Sequence, residues 1–242
     1  MQLNKIYNED CLQLNKIYNE DCLLGLQRIP NQSVDLIVTD PPYGINYQRH
    51  IREKVYKKMK NDNSLDFLNE CFLQCNRVLK DNTAIYCFCS WHNVDVFKRE
   101  FEKFFKLKNI IIWVKNNTSM GDLEGSYAPK HEMVLFGHKG RRKLEGFRYP
   151  DVLGAARTGN KLHPTQKPLD LIELLIKNSS QVGDVVLDPF LGSGSTAVAC
   201  INTNRNFIGF EISKEYCDIA NQRINGSVLS FGGRGCKTTT LK

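Results

Sequence analysis

Long apolar runs are missing from this 242-residue chain: none approaches the roughly eighteen consecutive apolar residues of a membrane span. The amino terminus also lacks a basic stretch followed by an apolar core and a small-residue cleavage site. Both absences point to a cytoplasmic protein with no membrane partner. Of the nine cysteines, none forms a Cys-x-x-Cys pair, and Cys87 and Cys89 fall inside an apolar strand pattern. Reduced, mostly buried thiols are therefore a better reading than a disulfide framework. His163 has no His or Cys partner at ligand spacing, so no metal site is expected. Acids are in deficit: 33 Lys and Arg stand against 26 Asp and Glu, a net charge of +7 that gathers in particular segments. That excess favours a polyanionic partner over a membrane; the plainer alternative is a generally basic soluble protein. The length suits one α/β domain with a sizeable core and is too short for two full domains with linkers.

The most informative stretch is Thr39-Asp40-Pro41-Pro42-Tyr43-Gly44, which follows the apolar run Val34, Leu36, Ile37, Val38. A β-branched run closing on an acid and two prolines reads as a buried parallel strand that stops at its carboxyl end, because proline cannot donate to a ladder. Open α/β sheets bind ligands at that edge. Asp40 supplies a fixed acceptor, Pro41 a main-chain carbonyl and Tyr43 a flat face, together suited to gripping the exocyclic amine of a planar base. An Asp-Pro-Pro turn with a packed tyrosine is the bland alternative.

Residues 2–12 recur unchanged at 13–23, a tandem duplication too short and too exact for a repeat array. The second copy adjoins the rest of the chain, so residues 16–21 are expected as a strand and residues 1–12 as an extension. The main domain is expected over 13–225 and a flexible glycine- and threonine-rich tail over 226–242. Two basic segments interrupt the pattern. Residues 45–63 carry Arg49, Arg52, Lys54, Lys57 and Lys58 with little to anchor a core, and read as a mobile loop or loose helix in phosphate contact, or as a solvated face. Residues 137–162 carry Arg141, Arg142, Arg148 and Arg157 with Phe147 and Tyr149 interleaved, an irregular segment suited to reading nucleic acid. Between them, helical spacing over 67–79 and 94–105 alternates with strands at 83–89, 110–114 and 132–136, which calls for a largely parallel sheet covered on both faces.

Near the end, Val185-Val186-Leu187-Asp188 leads through Pro189, Phe190, Gly192, Ser193 and Gly194 to Ser195 and Thr196: a strand, a glycine turn and a helix start. The turn lets a ligand approach backbone, and the helix terminus favours an anionic group. It lacks the lysine of a phosphate loop, which argues against a nucleotide hydrolase. A further strand, 207–210, ends in Glu211, about twenty residues on and placed to hold ribose hydroxyls.

With these motifs in this order, the chain resembles the amino-group DNA methyltransferases that use S-adenosylmethionine, specifically the permuted β group, whose Asp-Pro-Pro-Tyr motif precedes the cofactor motif. The match spans 16–224 and rests on Asn19-Glu20-Asp21-Cys22, residues 40–43, His163-Pro164-Thr165-Gln166-Lys167-Pro168, residues 188–196 and Glu211. The resemblance implies a doubly wound, mostly parallel sheet of about seven strands. It implies Asp40, Pro41, Pro42 and Tyr43 as catalytic residues. It puts the methionine part of the cofactor at residues 188–195, with Lys167 near its carboxylate, and counts Asp40 and Thr196 among the cofactor-binding residues. Glu211, with Ile212 beside it, would take the ribose, and Asp21 and Cys22 would flank the adenine. The implied substrate is N6 of an adenine flipped out of double-stranded DNA. The N4-cytosine enzymes are the alternative, although they more often carry serine at the Asp40 position. An RNA or protein amide methyltransferase would more usually have asparagine there, and a non-catalytic nucleic-acid-binding subunit would not need residues 40–43 intact. A second copy of the chain, in a homodimer, and a cognate restriction endonuclease are left open as partners.

Overall fold

The computed structural model describes residues 12–44, 50–51, 54–55, 65–118, 122–157 and 166–230. The elements run β1 (Lys16–Tyr18), α1 (Cys22–Gln27), β2 (Val34–Thr39), β3 (His50–Ile51), β4 (Lys54–Val55), α2 (Phe67–Val78), β5 (Leu79–Cys89), a 3-10 turn (Trp91–Asn93), α3 (Val94–Glu102), β6 (Lys106–Val114), β7 (His131–Lys139), β8 (Val152–Gly154), α4 (Leu169–Ser179), β9 (Val185–Asp188), α5 (Ser195–Asn202), β10 (Asn206–Phe210) and α6 (Lys214–Ser230). Eight strands form one sheet in the order β1-β10-β9-β2-β5-β7-β6-β8, and β3 and β4 pair separately.

Side-chain alternation explains the layering, because successive residues of a strand face opposite sides. Ile37, Ile85, Cys87, Leu187 and Ile208 face one way, against Leu26 of α1, Leu68 and Phe72 of α2, and Phe97 and Phe101 of α3. Leu36, Val38, Tyr86, Phe88 and Val186 face the other way, against Ile172 and Ile176 of α4, Ala197 of α5 and Ala220 of α6. Both faces of the central strands are thereby buried, as a parallel sheet requires. The last two strands insert between β1 and β2, with Leu36 in register with Val186 and Ile37 with Leu187. That insertion sets the carboxyl end of β2 beside that of β9, although 148 residues separate Asp40 from Asp188 in sequence.

The α/β, doubly wound and mostly parallel reading holds: five of the seven neighbouring pairs are parallel. The sheet has eight strands, however, and β7 runs antiparallel to both β5 and β6. No helix lies between β6 and β7 among the described residues, so no crossover carries the chain to a parallel start. The segment 137–162, expected to be irregular, contributes residues 137–139 to β7 and Val152–Gly154 as β8, paired parallel with β6. Asn178 of α4 pins its middle by donating to the Glu145 and Phe147 carbonyls at 2.6 and 3.0 Å.

At the amino end β1 stops at Tyr18, and Asp21 caps α1 by accepting from the Leu23 amide at 2.8 Å. Leu12, expected in the extension, is buried in the core. At the other end α6 continues to Ser230, five residues into the expected tail. Helix α3 ends at Glu102, short of the expected Phe105, which is buried with Phe72 and Phe101. Among the described residues no helix is long and apolar enough to cross a membrane.

Candidate active site

Asp40 leaves the end of β2 with both carboxylate oxygens engaged. Oδ1 accepts from the Tyr43 hydroxyl at 2.5 Å and Oδ2 from the Lys167 ammonium at 2.6 Å. Pro41 is buried and Pro42 half-buried. Tyr43 is held from two sides: its carbonyl accepts from Asn93 Nδ2 at 2.7 Å, and its ring meets Phe97 edge-on at 6.3 Å.

Lys167, just ahead of α4, is 5% exposed, and its ammonium also lies 3.1 Å from Glu132 Oε2 and donates to the Tyr43 hydroxyl at 3.2 Å. The Phe88 and Tyr43 rings lie 5.0 and 5.5 Å from it. Glu132 in turn receives Lys115 on Oε1 at 2.6 Å. Burial works against the charge on Lys167, but Asp40 and Glu132 outweigh it and hold the ammonium above the ordinary lysine range. For Glu132 the two lysines outweigh burial and keep the carboxyl below its usual range. For Asp40 burial wins over Lys167, and the charge on Glu132 adds to it, so its carboxyl is raised.

Beside this group, β9 delivers Asp188 to the glycine turn. Asp188 Oδ2 accepts from Thr196 Oγ1 at 2.6 Å and Oδ1 from the Phe190 amide at 3.1 Å, so one carboxylate ties both ends of the turn. Burial, only partly offset by those bonds, pushes Asp188 up to about 7. Gly194 has φ +83°, and a Cβ there would lie 2.8 Å from the Ala220 Cβ, so only glycine fits where α5 begins. Glu211, at the end of β10, accepts the Gly192 amide on Oε2 at 2.9 Å and the Ser213 amide on Oε1 at 2.7 Å. Ile212 next to it is exposed. Ser195 Oγ donates to the Lys167 carbonyl at 3.1 Å and so joins the turn to the Asp40 group.

Of the other expected residues, Asp21 stands at this same edge, because β1 pairs with β10 and Asn19 donates to the Glu211 carbonyl at 2.8 Å. Cys22 faces inward: its buried thiol lies against Cys71, and that contact together with burial raises it far above a reactive thiol. Lys167, expected near the cofactor carboxylate, is paired with Asp40 and Glu132. Arg142, expected to be free for nucleic acid, is paired with Glu145 at 2.9 Å. Arg141 and Arg148 are exposed, and Arg157 is half-exposed with its amide on Asn116 Oδ1 at 3.0 Å. Arg49, Arg52, Lys57 and Lys58 lie outside the described residues, as do His163, Pro164 and Thr165; Lys54 is in β4.

Four residues at the site have no counterpart in the sequence-based expectations. Glu132 had a signal: an acid inside the run His131-Glu132-Met133-Val134-Leu135-Phe136, where burial demands a partner. Lys115, Asn93 and Arg223 had none. Arg223 of α6 donates to the Ser193 carbonyl at 2.5 Å and to its hydroxyl at 3.1 Å, bracing the turn from below.

A doubly wound sheet whose adjoining strand ends carry an Asp-Pro-Pro-Tyr edge and an acid-tied glycine turn defines a Rossmann-like methyltransferase. Residues 34–222 match the DNA methylase family of N6 and N4 methyltransferases, and the chain belongs to that family. It is 33% identical over 227 residues to the Type II methyltransferase M2.MboI of Moraxella bovis, covering 82% of this chain and 83% of the relative. It is 30% identical over 240 residues to the DNA adenine methyltransferase YhdJ of Escherichia coli K12, covering 84% and 80%. The solved structure of the M1.HpyAVI–SAM complex superposes with a TM-score of 0.67 at 31% identity, covering 86% of this chain and 98% of that one.

Proposed function

We propose that this DNA amino-methyltransferase transfers a methyl group from S-adenosylmethionine to N6 of adenine flipped out of double-stranded DNA. The observation that carries the reading is Asp40: a carboxylate at a strand end, half-buried beside a charged lysine and next to the acid-tied glycine turn. The cofactor supplies an electrophilic methyl group on a sulfonium. Residues 188–190 and 192–196 would receive its methionine part, the φ-positive glycines allowing backbone to approach closely. Glu211 would take the ribose with Ile212 alongside, and Asp21 the adenine edge. The Glu211 carboxylate accepts the Gly192, Ser213 and Ile212 amides here and retains acceptor capacity for a ribose hydroxyl, so the residues present fit the group.

An exocyclic amine is a poor nucleophile because its lone pair is delocalised into the ring. Asp40 and the Pro41 carbonyl, each accepting one N–H, would draw the nitrogen toward tetrahedral geometry and aim the lone pair at the methyl group. Lys167 offsets part of the cost that burial imposes on the Asp40 carboxylate, and the Tyr43 ring would offset part of the few kcal/mol that base flipping costs. YhdJ, named for adenine, and aspartate at position 40 support N6. Cytosine N4 is the second reading, favoured by a family description that spans both acceptors. The relative M2.MboI is a Type II methyltransferase, which supports a cognate restriction endonuclease as partner; the chemistry requires neither that nor a second copy of the chain.

The test is to incubate the protein with mixed-sequence DNA and methyl-labelled cofactor and hydrolyse the DNA to nucleosides. Label in N6-methyl-2′-deoxyadenosine is expected. Label in N4-methyl-2′-deoxycytidine would reassign the acceptor, and cofactor binding without label in any nucleoside would make the chain a non-catalytic subunit.

A further inference from the structure

Four charged groups from four separate segments meet, each with most of its side chain out of solvent. Lys115 follows β6, Glu132 lies in β7, Lys167 precedes α4 and Asp40 follows β2. They alternate in sign along a chain of contacts: Lys115 to Glu132 at 2.6 Å, Glu132 to Lys167 at 3.1 Å, Lys167 to Asp40 at 2.6 Å. An ammonium has three donors, and those of Lys167 are matched by Asp40, Glu132 and the Tyr43 hydroxyl. A buried ammonium with a single counter-ion is bound to stay on it, because leaving strands an uncompensated charge in low dielectric. A second carboxylate removes that constraint.

We propose that Glu132 is a positioning residue of the methyl transfer: anchored by Lys115, it is the second counter-ion that lets Lys167 slacken its hold while Asp40 turns an oxygen to the target amine. This rests on the reading that Asp40 accepts an amine N–H. The groups that face Asp40 and Glu132 among the described residues are Lys167, Lys115, Tyr43, Asp188, Cys87 and Cys89. The two thiols are neutral, held up by burial. Lys167 is held charged by its two carboxylates, so Asp40 and its carboxylate neighbours set the acidic limb.

The test compares pH profiles of kcat in three full-length variants whose melting transitions are checked first. Glu132→Gln leaves Lys167 on Asp40 alone and removes a negative neighbour. Its kcat should fall on the order of tenfold to a hundredfold, with the cofactor KM unchanged and the acidic limb moved to lower pH. Lys115→Met frees Glu132 to draw Lys167 away from Asp40, so its acidic limb should move to higher pH. Opposite shifts distinguish a charge chain from damaged packing, which would move both alike or neither. Unchanged kcat and limb in Glu132→Gln would overturn the inference while inactive Asp40→Ala leaves the Asp40 reading standing; active Asp40→Ala would instead refute that reading. Should Glu132→Gln fail to fold, Lys115→Met decides alone, an unmoved limb counting against the proposal.

Discussion

The Lys167 ammonium lies 2.6 Å from Asp40 Oδ2 although 127 residues separate the two in sequence. Asp40 directly follows β2, while Lys167 lies just ahead of α4. Their contact, with Ser195 Oγ on the Lys167 carbonyl, couples the proposed acceptor of the amine to the turn that would carry the methyl donor.

Asp40→Ala should abolish methyl transfer and leave cofactor affinity nearly intact, because in the proposed reaction Asp40 would face the amine, while the turn is tied by Asp188 and Glu211. Loss of a placed polar group costs about a hundredfold or more. Residual turnover above about one per cent of wild type in a single-turnover assay would contradict the assignment.

Glu211→Ala should weaken cofactor binding by about 1.5 kcal/mol or more, the scale of removing a charged acceptor from hydroxyl donors. The same change unties the Gly192 amide, so loss of stability in the cofactor-free protein should be small beside the loss of affinity. Calorimetry that finds affinity unchanged would make Glu211 a brace of the turn and nothing more.

Asp188→Asn should alter how stability depends on pH. In the unfolded chain an aspartate titrates near about 4, whereas burial raises Asp188 in the folded protein to about 7. The folded state therefore binds the proton more tightly, and its contribution is full below about pH 4 and lost as pH rises to about 7. Between those limits the wild type should lose stability relative to Asp188→Asn by up to about 1.4 kcal/mol per pH unit. Parallel urea-unfolding curves across that window would show that Asp188 is ionised throughout.

The basic segments should separate by assay. Replacing Lys54, Lys57 and Lys58 should weaken binding to all DNA sequences alike and reduce the salt slope by about one unit for each phosphate that is no longer neutralised. Replacing Arg141, Arg148 or Arg157 should relax preference at one position of the methylated sequence, at about 1–3 kcal/mol. Arg142→Ala should do neither, since Glu145 already holds that guanidinium. The reverse pattern, with lysine changes altering the methylated sequence, would exchange the two roles.

The local chain alone determined the strand that breaks at Asp40, the glycine turn after Asp188 and the acid at Glu211. Each is written in neighbouring residues: a β-branched run, then proline, glycine or a carboxylate where the backbone must stop or bend. The alternation of strand and helix patterns likewise announced a sheet covered on both faces. The register of β9 against β2, the reversal of β7 and the capture of β8 by β6 were decided by which edges could pair once the helices had packed, and no short window of sequence records that. Charge partners belong to the same level. Lys167 on Asp40 and Glu132, Cys22 turned toward Cys71, and Arg142 on Glu145 all follow from burial, which makes a charge or thiol take whatever neighbour the fold supplies, and that neighbour is known only when distant segments meet.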